Sequence, residues 1–314
     1  MWEKENQTFA RDFILLGLFH LSLYGWLFFT LILIMFMWAI LGNTVWILLI
    51  RLNSQLHTPM YFLLSHLSLM DILNISNTVP KMASNFISGQ LSITFGGCGF
   101  QLFLYLIFVG SECLVFAAMS YDRYVAICHP LHYPILMNHR ISAGMAAGCW
   151  LGGIINSTIH TAYVLHLPYC GTRVLDHFFC EIPAMLKISC VDTSQYEGGV
   201  YVSAVFFLVI PFCIILASYS QILRTVLHMK SVEAQKKAFS TCSSHLIVIA
   251  MYYVPFIFAY LRPKSYHTTS QDKVLAILYT IVTPMLNPII YSLRNKDVLC
   301  ALKKSLRKIL SHRN

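Results

Sequence analysis

The sequence predicts an all-α membrane protein: a seven-transmembrane helix bundle followed by a short amphipathic cytosolic helix. Three observations carry that expectation. Of the 314 residues, 57% are hydrophobic and only 11% are charged, where a soluble chain of this size carries about a quarter. Seven apolar stretches approach the roughly 20 residues that a bilayer-crossing helix needs. Lysine and arginine gather in alternate loops. This composition excludes disorder, a nucleic-acid module and an ordinary soluble enzyme. Ten cysteines without paired CxxC spacing give neither a disulfide scaffold nor a zinc ribbon.

The spans fall at about 23–50, 58–80, 99–121, 141–166, 198–223, 238–261 and 273–293. The first runs from Leu23 to Ile50 without a charge, whereas the second and seventh are weakened by polar residues and prolines. Residues 1–22 carry Glu3, Lys4, Glu5, Arg11 and Asp12 and lead into a full-length span, so span one is expected to act as an uncleaved signal anchor. No linker, repeat or low-complexity tract interrupts the chain, which reads as one domain over 1–314: tail 1–22, bundle 23–293 and tail 294–314.

Loop charge sets the orientation. The loops on the amino-terminal side hold eight Lys and Arg against eight acids; the other set holds fourteen against three, and only Asp71 and Glu112 lie within spans. The neutral side should face outward and the side of charge +11 the cytosol. A glycosylation triplet at Asn6 lies on the outer side, while those at Asn74 and Asn156 fall inside spans. Cys98, Cys170, Cys180 and Cys190 also lie outside, where two disulfides are expected, although sequence alone allows three pairings.

Ionisable groups within a bilayer are costly and normally face the bundle interior. Asp71 and Glu112, with Asn43, Ser111 and Asn287 as polar neighbours, could hold a cation such as Na⁺, share a proton, or only fix helix packing; the residues do not choose. An aspartyl-protease dyad needs two such acids, but no Gly-rich motif flanks either one and no GxSxG elbow occurs, so no enzyme is expected. Asp122-Arg123-Tyr124, at the cytosolic end of span three, reads either as a snorkelling pair or as a latch. His177 and Cys180 stand at HxxC spacing, which suits a metal only if Cys180 is not in a disulfide; the expectation is an ordinary polar histidine.

Small-molecule pockets are mostly apolar, with a few directing polar groups. On span three, Leu106, Val109, Gly110 and Cys113 recur at helical spacing. Span five offers Ser203 and Phe207, span six Tyr253, Phe256 and Tyr260, and span seven Ile277 and Thr280. Ser203, Tyr260 and Thr280 are the stronger candidates, because a buried hydroxyl needs a partner that a ligand could supply. None of these positions is charged, and burying an unpaired ion costs several kcal/mol. The expected ligand is therefore neutral and mostly apolar.

From Lys296 to Ser311 an apolar stripe of Leu299, Leu302, Leu306, Ile309 and Leu310 runs beside Lys303, Lys304, Arg307 and Lys308. This suits a helix lying on anionic lipid, with Cys300 open either to palmitoylation or to remaining a free thiol.

Several motifs narrow the field. MSYDRYVAICHPLHY spans Met119 to Tyr133, LHTPMY Leu56 to Tyr61, and LSLMD Leu67 to Asp71. KAFSTCSSH runs from Lys237 to His245 and PMLNPIIYSLRN from Pro284 to Asn295, with Gly42-Asn43 ahead of all of these and Ser218-Tyr219 ahead of KAFSTCSSH. Taken in chain order, they closely resemble the olfactory receptors, a branch of the rhodopsin-like G-protein-coupled receptors. The resemblance covers essentially the whole chain. It implies disulfides Cys98–Cys180 and Cys170–Cys190, and an Arg123 freed on activation to meet Tyr219 and Tyr291. It also implies a Na⁺-type site at Asp71, Glu112 and Asn287. The G-protein contact would include Lys236, Lys237 and the His129–Tyr133 loop.

The implied ligand is a small volatile odorant, and the implied partner a stimulatory, olfactory-type heterotrimer that raises cAMP from the plasma membrane. One departure is Tyr252-Tyr253-Val254-Pro255, where the family usually has Phe-Tyr-Gly; a proline there favours a kink. The interior of span seven, Val274 to Leu293, holds no lysine for a retinal Schiff base, so a light receptor is excluded. A transporter or channel is the competing class, but no inverted repeat and no series of charges lining several spans is visible.

Overall fold

A helix starts where a short polar side chain can take an orphan backbone N–H, and this chain places one repeatedly. In a computed structural model describing residues 12–18, 22–171, 173–261 and 268–293, Ser22 accepts from Gly25 N and opens α1, Leu23–Leu52. Thr58 opens α2, Pro59–Ser88, which ends on left-handed Gly89. Thr94 opens α3, Phe95–Cys128, and Asn138 opens α4, His139–His166. At the start of α5, Ser194–Leu227, Thr193 instead donates its hydroxyl to Glu197 at 2.6 Å. Ser231 opens α6, Val232–Tyr260. Thr268 opens α7, which runs as Thr269–Ile277, a π-helical turn Leu278–Val282 and Thr283–Leu293.

Each helix extends beyond the apolar stretch predicted for it, because a helix can continue into polar surroundings while an apolar run cannot. Among the described residues, five helices are long and apolar enough to cross a membrane: α1, α3, α5, α6 and α7. α2 was expected to be weak, and its inner face buries Asp71, Asn74, Thr78 and Asn85. α4 falls short as well, diluted by glycine and polar residues, whereas α7 passes despite its prolines. Large apolar side chains point outward along α1 and α5, among them Leu27, Ile34, Met37, Val202 and Phe206, which suits a hydrocarbon surround and not water. The chain is a multi-pass membrane protein.

α3 is central, packing against α2, α4, α5 and α6. Pairs of polar groups tie it in place. Asn77 and Gln101 each donate a side-chain amide to the other's backbone carbonyl at 2.9 Å, and Ser157 donates to Phe103 O at 2.6 Å. On α5 a π turn over Val205–Val209 precedes Pro211. The missing proline N–H frees a carbonyl one turn back, which is where such bulges arise. Pro255 sits within α6, and the helix runs through it.

The all-α expectation needs one correction. Among the described residues, three short strands cap the end of the bundle that carries both disulfides: β1 (Phe13–Leu15), β2 (Ser92–Ile93) and β3 (Val174–Leu175). β1 lies between β2, antiparallel to it, and β3, parallel to it. Phe13 and Leu15 are fully buried while Ile14 faces out, the two-residue alternation of a strand. Three residues carry too little periodicity to be read as a strand from sequence. Asn6, the tail 294–314 with Cys300, and the Lys237 side chain lie outside the described residues.

Candidate functional site

Chemistry at one end of the bundle begins with the loop joining α4 to α5. Both disulfides form, Cys98–Cys180 and Cys170–Cys190, with Cα atoms 5.5 and 5.6 Å apart. Beside the first, Cys180 N donates to Gln101 Oε1 at 2.9 Å, so the loop is tied to α3 twice. A disulfide sulfur cannot ligate, which removes the HxxC metal reading. His177 is no ordinary surface polar residue. It is 2% exposed, stacks on Phe178 with ring centres 4.8 Å apart, and lies 3.3 Å from Glu181. Glu181 is buried too, and accepts from Tyr279 of α7 at 3.1 Å.

Burial pushes the Glu181 carboxyl from an ordinary 4.5 to about 8, with Asp272 acting in the same direction. Burial pushes the His177 imidazole from 6.5 down to about 3, with Lys273 assisting. Between pH 4.5 and 8 the folded loop keeps a proton on Glu181 that the unfolded chain releases, so stability falls as pH rises through that window. Between pH 3 and 6.5 the unfolded chain binds a proton on His177 that the folded loop refuses, so stability rises there. The two effects oppose one another between 4.5 and 6.5, leaving a net fall from 6.5 to 8. The melting temperature of the detergent-solubilised protein is expected to peak in the overlap and drop by pH 8, with Glu181→Gln flattening the alkaline limb. A melting temperature that climbs between pH 6.5 and 8 in the unmutated protein would contradict this.

Among the described residues, two cavities lie beneath the loop. The outer one, about 310 Å³, is walled by Leu186, Lys187, Thr193, Glu197 and Tyr201 among others. Its charges are engaged: Lys187 pairs with Asp272 at 3.0 Å, and Glu197 with Thr193. The inner cavity, about 70 Å³, lies among α3, α4, α5 and α6. Ile182, Val200 and Tyr260 line both.

Of the eleven ligand-contact candidates, eight line the inner cavity: Leu106, Val109, Gly110, Cys113, Ser203, Phe207, Phe256 and Tyr260. Tyr253, Ile277 and Thr280 do not. Tyr253 is buried behind the wall and donates to Cys113 O at 3.0 Å; Thr280 donates to Ala276 O one turn back at 2.6 Å. The hydroxyls put forward for want of a partner have partners within the protein. Ser203 Oγ lies 2.7 Å from His160 Nε2, and the Tyr260 and Tyr105 hydroxyls are 3.4 Å apart. Sequence reasoning left out α4 altogether, although Asn156 and His160 line the cavity. The available signal was an ionisable side chain within a span, as with Asp71 and Glu112.

Deeper in the bundle, Asn287 Nδ2 donates to Asp71 Oδ2 at 2.8 Å, and Glu112 lies within electrostatic reach of Asp71. Asn43 Nδ2 donates to Ala39 O and Pro284 O, both at 2.9 Å. Ser111, expected beside Asp71, instead faces Gly153 of α4. Glu112 Oε1 and Asn74 Oδ1 are buried without hydrogen-bond partners, and Asn74 shares a helix face with Asp71 three residues away. Buried orphan oxygens beside a carboxylate are a fitting donor set for a hard cation.

At the opposite end, Asp122 accepts from Tyr133 at 2.8 Å, so its carboxylate is held by the loop after α3. Arg123 Nε has no hydrogen-bond partner, and the Arg123 charge reaches Tyr219, Cys242, His245 and Tyr291. Tyr219 bonds to His245 Nδ1, a partner that the KAFSTCSSH motif contained without announcing. Tyr124 meets His129 Nε2 at 3.0 Å, and Lys236 is exposed at the start of α6.

The chain matches the family model described as olfactory receptor over residues 32–309. It is 64% identical to human olfactory receptor 2AJ1 over 309 residues, 98% of this chain and 94% of that one. Identity is 55% to human olfactory receptor 2L8 over 98% of this chain and 99% of that one. It is 50% to mouse olfactory receptor 2V1 over 96% of each. These relatives are receptors and not enzymes, in keeping with the absence of a catalytic motif. The chain places an interior cavity beneath a disulfide-tied loop and joins it by a central helix to a polar cluster at the other end of the bundle, and it belongs to the olfactory receptor family of G-protein-coupled receptors.

Proposed function

We propose that this receptor binds a small, neutral, volatile odorant in the inner cavity and activates a stimulatory, olfactory-type heterotrimeric G protein, raising cAMP. The observation that carries this reading is the inner cavity itself, walled by apolar side chains with uncharged polar groups at Ser203, Asn156, Tyr260 and His160. Among the described residues that line it, a ligand carboxylate or ammonium would find no unpaired opposite charge, and desolvating it would cost several kcal/mol. The chain forms a single domain over 1–314 and crosses the plasma membrane seven times, amino terminus outside and carboxyl tail cytosolic. Support comes from the seven long helices among the described residues and the loop charge asymmetry. Asn6 would carry glycan, and the basic tail would lie on lipid.

Odorant binding favours one helix arrangement over another by its differential affinity. At the cytosolic end, Asp122, Arg123, Tyr124, Tyr219 and Tyr291 would change partners, and Lys236 and Lys237 would meet the G protein. Asp71, Glu112 and Asn287 would hold Na⁺ in the resting arrangement, with the orphan oxygens of Glu112 and Asn74 completing the donor set. In transfected cells with a cAMP reporter, neutral volatiles are expected to be the agonists. A screen that found only acids or amines, or ion flux in protein-only liposomes, would overturn the reading.

A further inference from the structure

His160 sits on α4 beside the inner cavity, 4% exposed, with a hydroxyl at each ring nitrogen. Nδ1 is 2.9 Å from Tyr196 Oη, and Nε2 is 2.7 Å from Ser203 Oγ. Tyr196 has a second partner, the His160 carbonyl at 3.4 Å, and is held in place by stacking on Tyr163 with ring centres 4.2 Å apart. Ser203 and His160 both line the cavity, so this chain of groups ends where a ligand would lie.

A neutral imidazole has one N–H donor and one acceptor nitrogen, while a hydroxyl both donates and accepts. Two arrangements therefore satisfy every member. In the first, Tyr196 donates to Nδ1, Nε2–H donates to Ser203 Oγ, and the Ser203 O–H is free to donate into the cavity. In the second, Tyr196 donates to the His160 carbonyl, Nδ1–H donates to Tyr196 Oη, and Ser203 donates to Nε2. That leaves the Ser203 lone pairs open to accept from the cavity. The two differ by one proton moved from Nε2 to Nδ1, so the ring is neutral in both arrangements.

Resting on the odorant reading above, we infer that His160, Ser203 and Tyr196 form an ambivalent hydrogen-bond site that recognises a single carbonyl or hydroxyl on an otherwise apolar ligand. Ser203 touches the ligand, and His160 is a positioning residue that sets which way the Ser203 proton points. The inner cavity, at about 70 Å³, falls well below the roughly 300 Å³ of a usual ligand pocket. It would take the oxygen-bearing end, while the apolar remainder extends past Ile182, Val200 and Tyr260 into the outer cavity.

The test uses ketones, the matching secondary alcohols and the isosteric branched hydrocarbons on several carbon skeletons, in cells expressing the full receptor with display measured by a surface tag. Ketone and alcohol are expected to act at concentrations within about tenfold of each other, and the hydrocarbon to need about three- to tenfold more. Ser203→Ala should weaken ketone and alcohol by that same three- to tenfold and leave the hydrocarbon where it was, while Ser203→Thr preserves both polar responses. His160→Leu should lower both, since the freed hydroxyl can turn back onto a carbonyl of its own helix. A purely structural role for His160 would instead weaken all three series equally. Unchanged potency in Ser203→Ala at equal display, or equal loss for the hydrocarbon, would overturn this inference and leave the receptor reading intact. So would discrimination of ketone from alcohol by far more than tenfold. Silence from all three series at normal display would sink the receptor reading, and this inference with it.

Discussion

Arg123→Ala is expected to abolish odorant-evoked cAMP while the receptor still reaches the cell surface. The two halves of that outcome have separate physical grounds. Surface display should survive because Asp122 is held by the Tyr133 hydroxyl at 2.8 Å, so truncating Arg123 strands no buried carboxylate. Nor does it remove a bonded donor at Nε, which has no partner. Signalling should fail because the Arg123 charge stands among Tyr219, Cys242, His245 and Tyr291, groups drawn from α5, α6 and α7. Among the described residues it is a cation placed to take new partners if those helix ends separate. A ligand shifts an equilibrium only by its differential affinity for two states. Without the guanidinium the active state loses charge-assisted hydrogen bonds worth about 1.5–3 kcal/mol each, enough to cut the active population by tenfold or more. Arg123→Lys, a compact charge without the planar fork, should retain part of the response. A full cAMP response from Arg123→Ala at matched display would remove Arg123 from the mechanism.

Much of the bundle was legible in the sequence because hydrocarbon imposes a simple rule: spans must be apolar and about 20 residues long. What escaped followed from side chains that meet only in three dimensions. α2 and α4 are the least apolar long helices because their inner faces carry polar groups that find partners across the bundle. Trp150 of α4 donates to His66 of α2 at 3.2 Å, and Ser157 donates to α3. No periodicity reveals such pairings. The candidate pocket was legible on α3, where Leu106, Val109, Gly110 and Cys113 follow helical spacing. On α4 the signal was His160 alone, an ionisable side chain within the span, without the repeated spacing that marks α3. Spacing also failed for Ser111 beside Glu112. Adjacent residues on a helix point about 100° apart, so Ser111 faces α4 when Glu112 faces Asp71.

Gly153→Ala should be among the most damaging single-methyl additions in the protein. A Cβ at Gly153 would overlap Ser111 Oγ and stand 2.5 Å from the Ile107 carbonyl oxygen. A serine rotamer can move aside; a helix carbonyl cannot, so α3 and α4 must separate along their most extensive shared face. In a bilayer, small residues are what allow two helix backbones to approach this closely. The same separation would strain the Ser157–Phe103 hydrogen bond at 2.6 Å. Alanine is a better helix former than glycine by about 1 kcal/mol, so a net loss must overcome that gain. Overpacking of this kind costs about 1–3 kcal/mol and sometimes more. Because the obstacle is a backbone carbonyl, the penalty should lie at the upper end, leaving a net loss of about 2 kcal/mol; the melting temperature of the purified receptor should then fall by about 4 °C, and surface display should drop with it. Two glycines on the same helix supply the control. A Cβ at Gly144 or Gly148 meets nothing within 4 Å, so Gly148→Ala should be neutral or stabilising. Gly152→Ala, facing the flexible end of Leu114 at 3.0 Å, should fall between. Adding Ser111→Gly to Gly153→Ala should recover only part of the loss, because the Ile107 carbonyl remains in the way. Complete recovery would place the whole penalty on the serine side chain and leave the backbone approach of α3 and α4 with no energetic role.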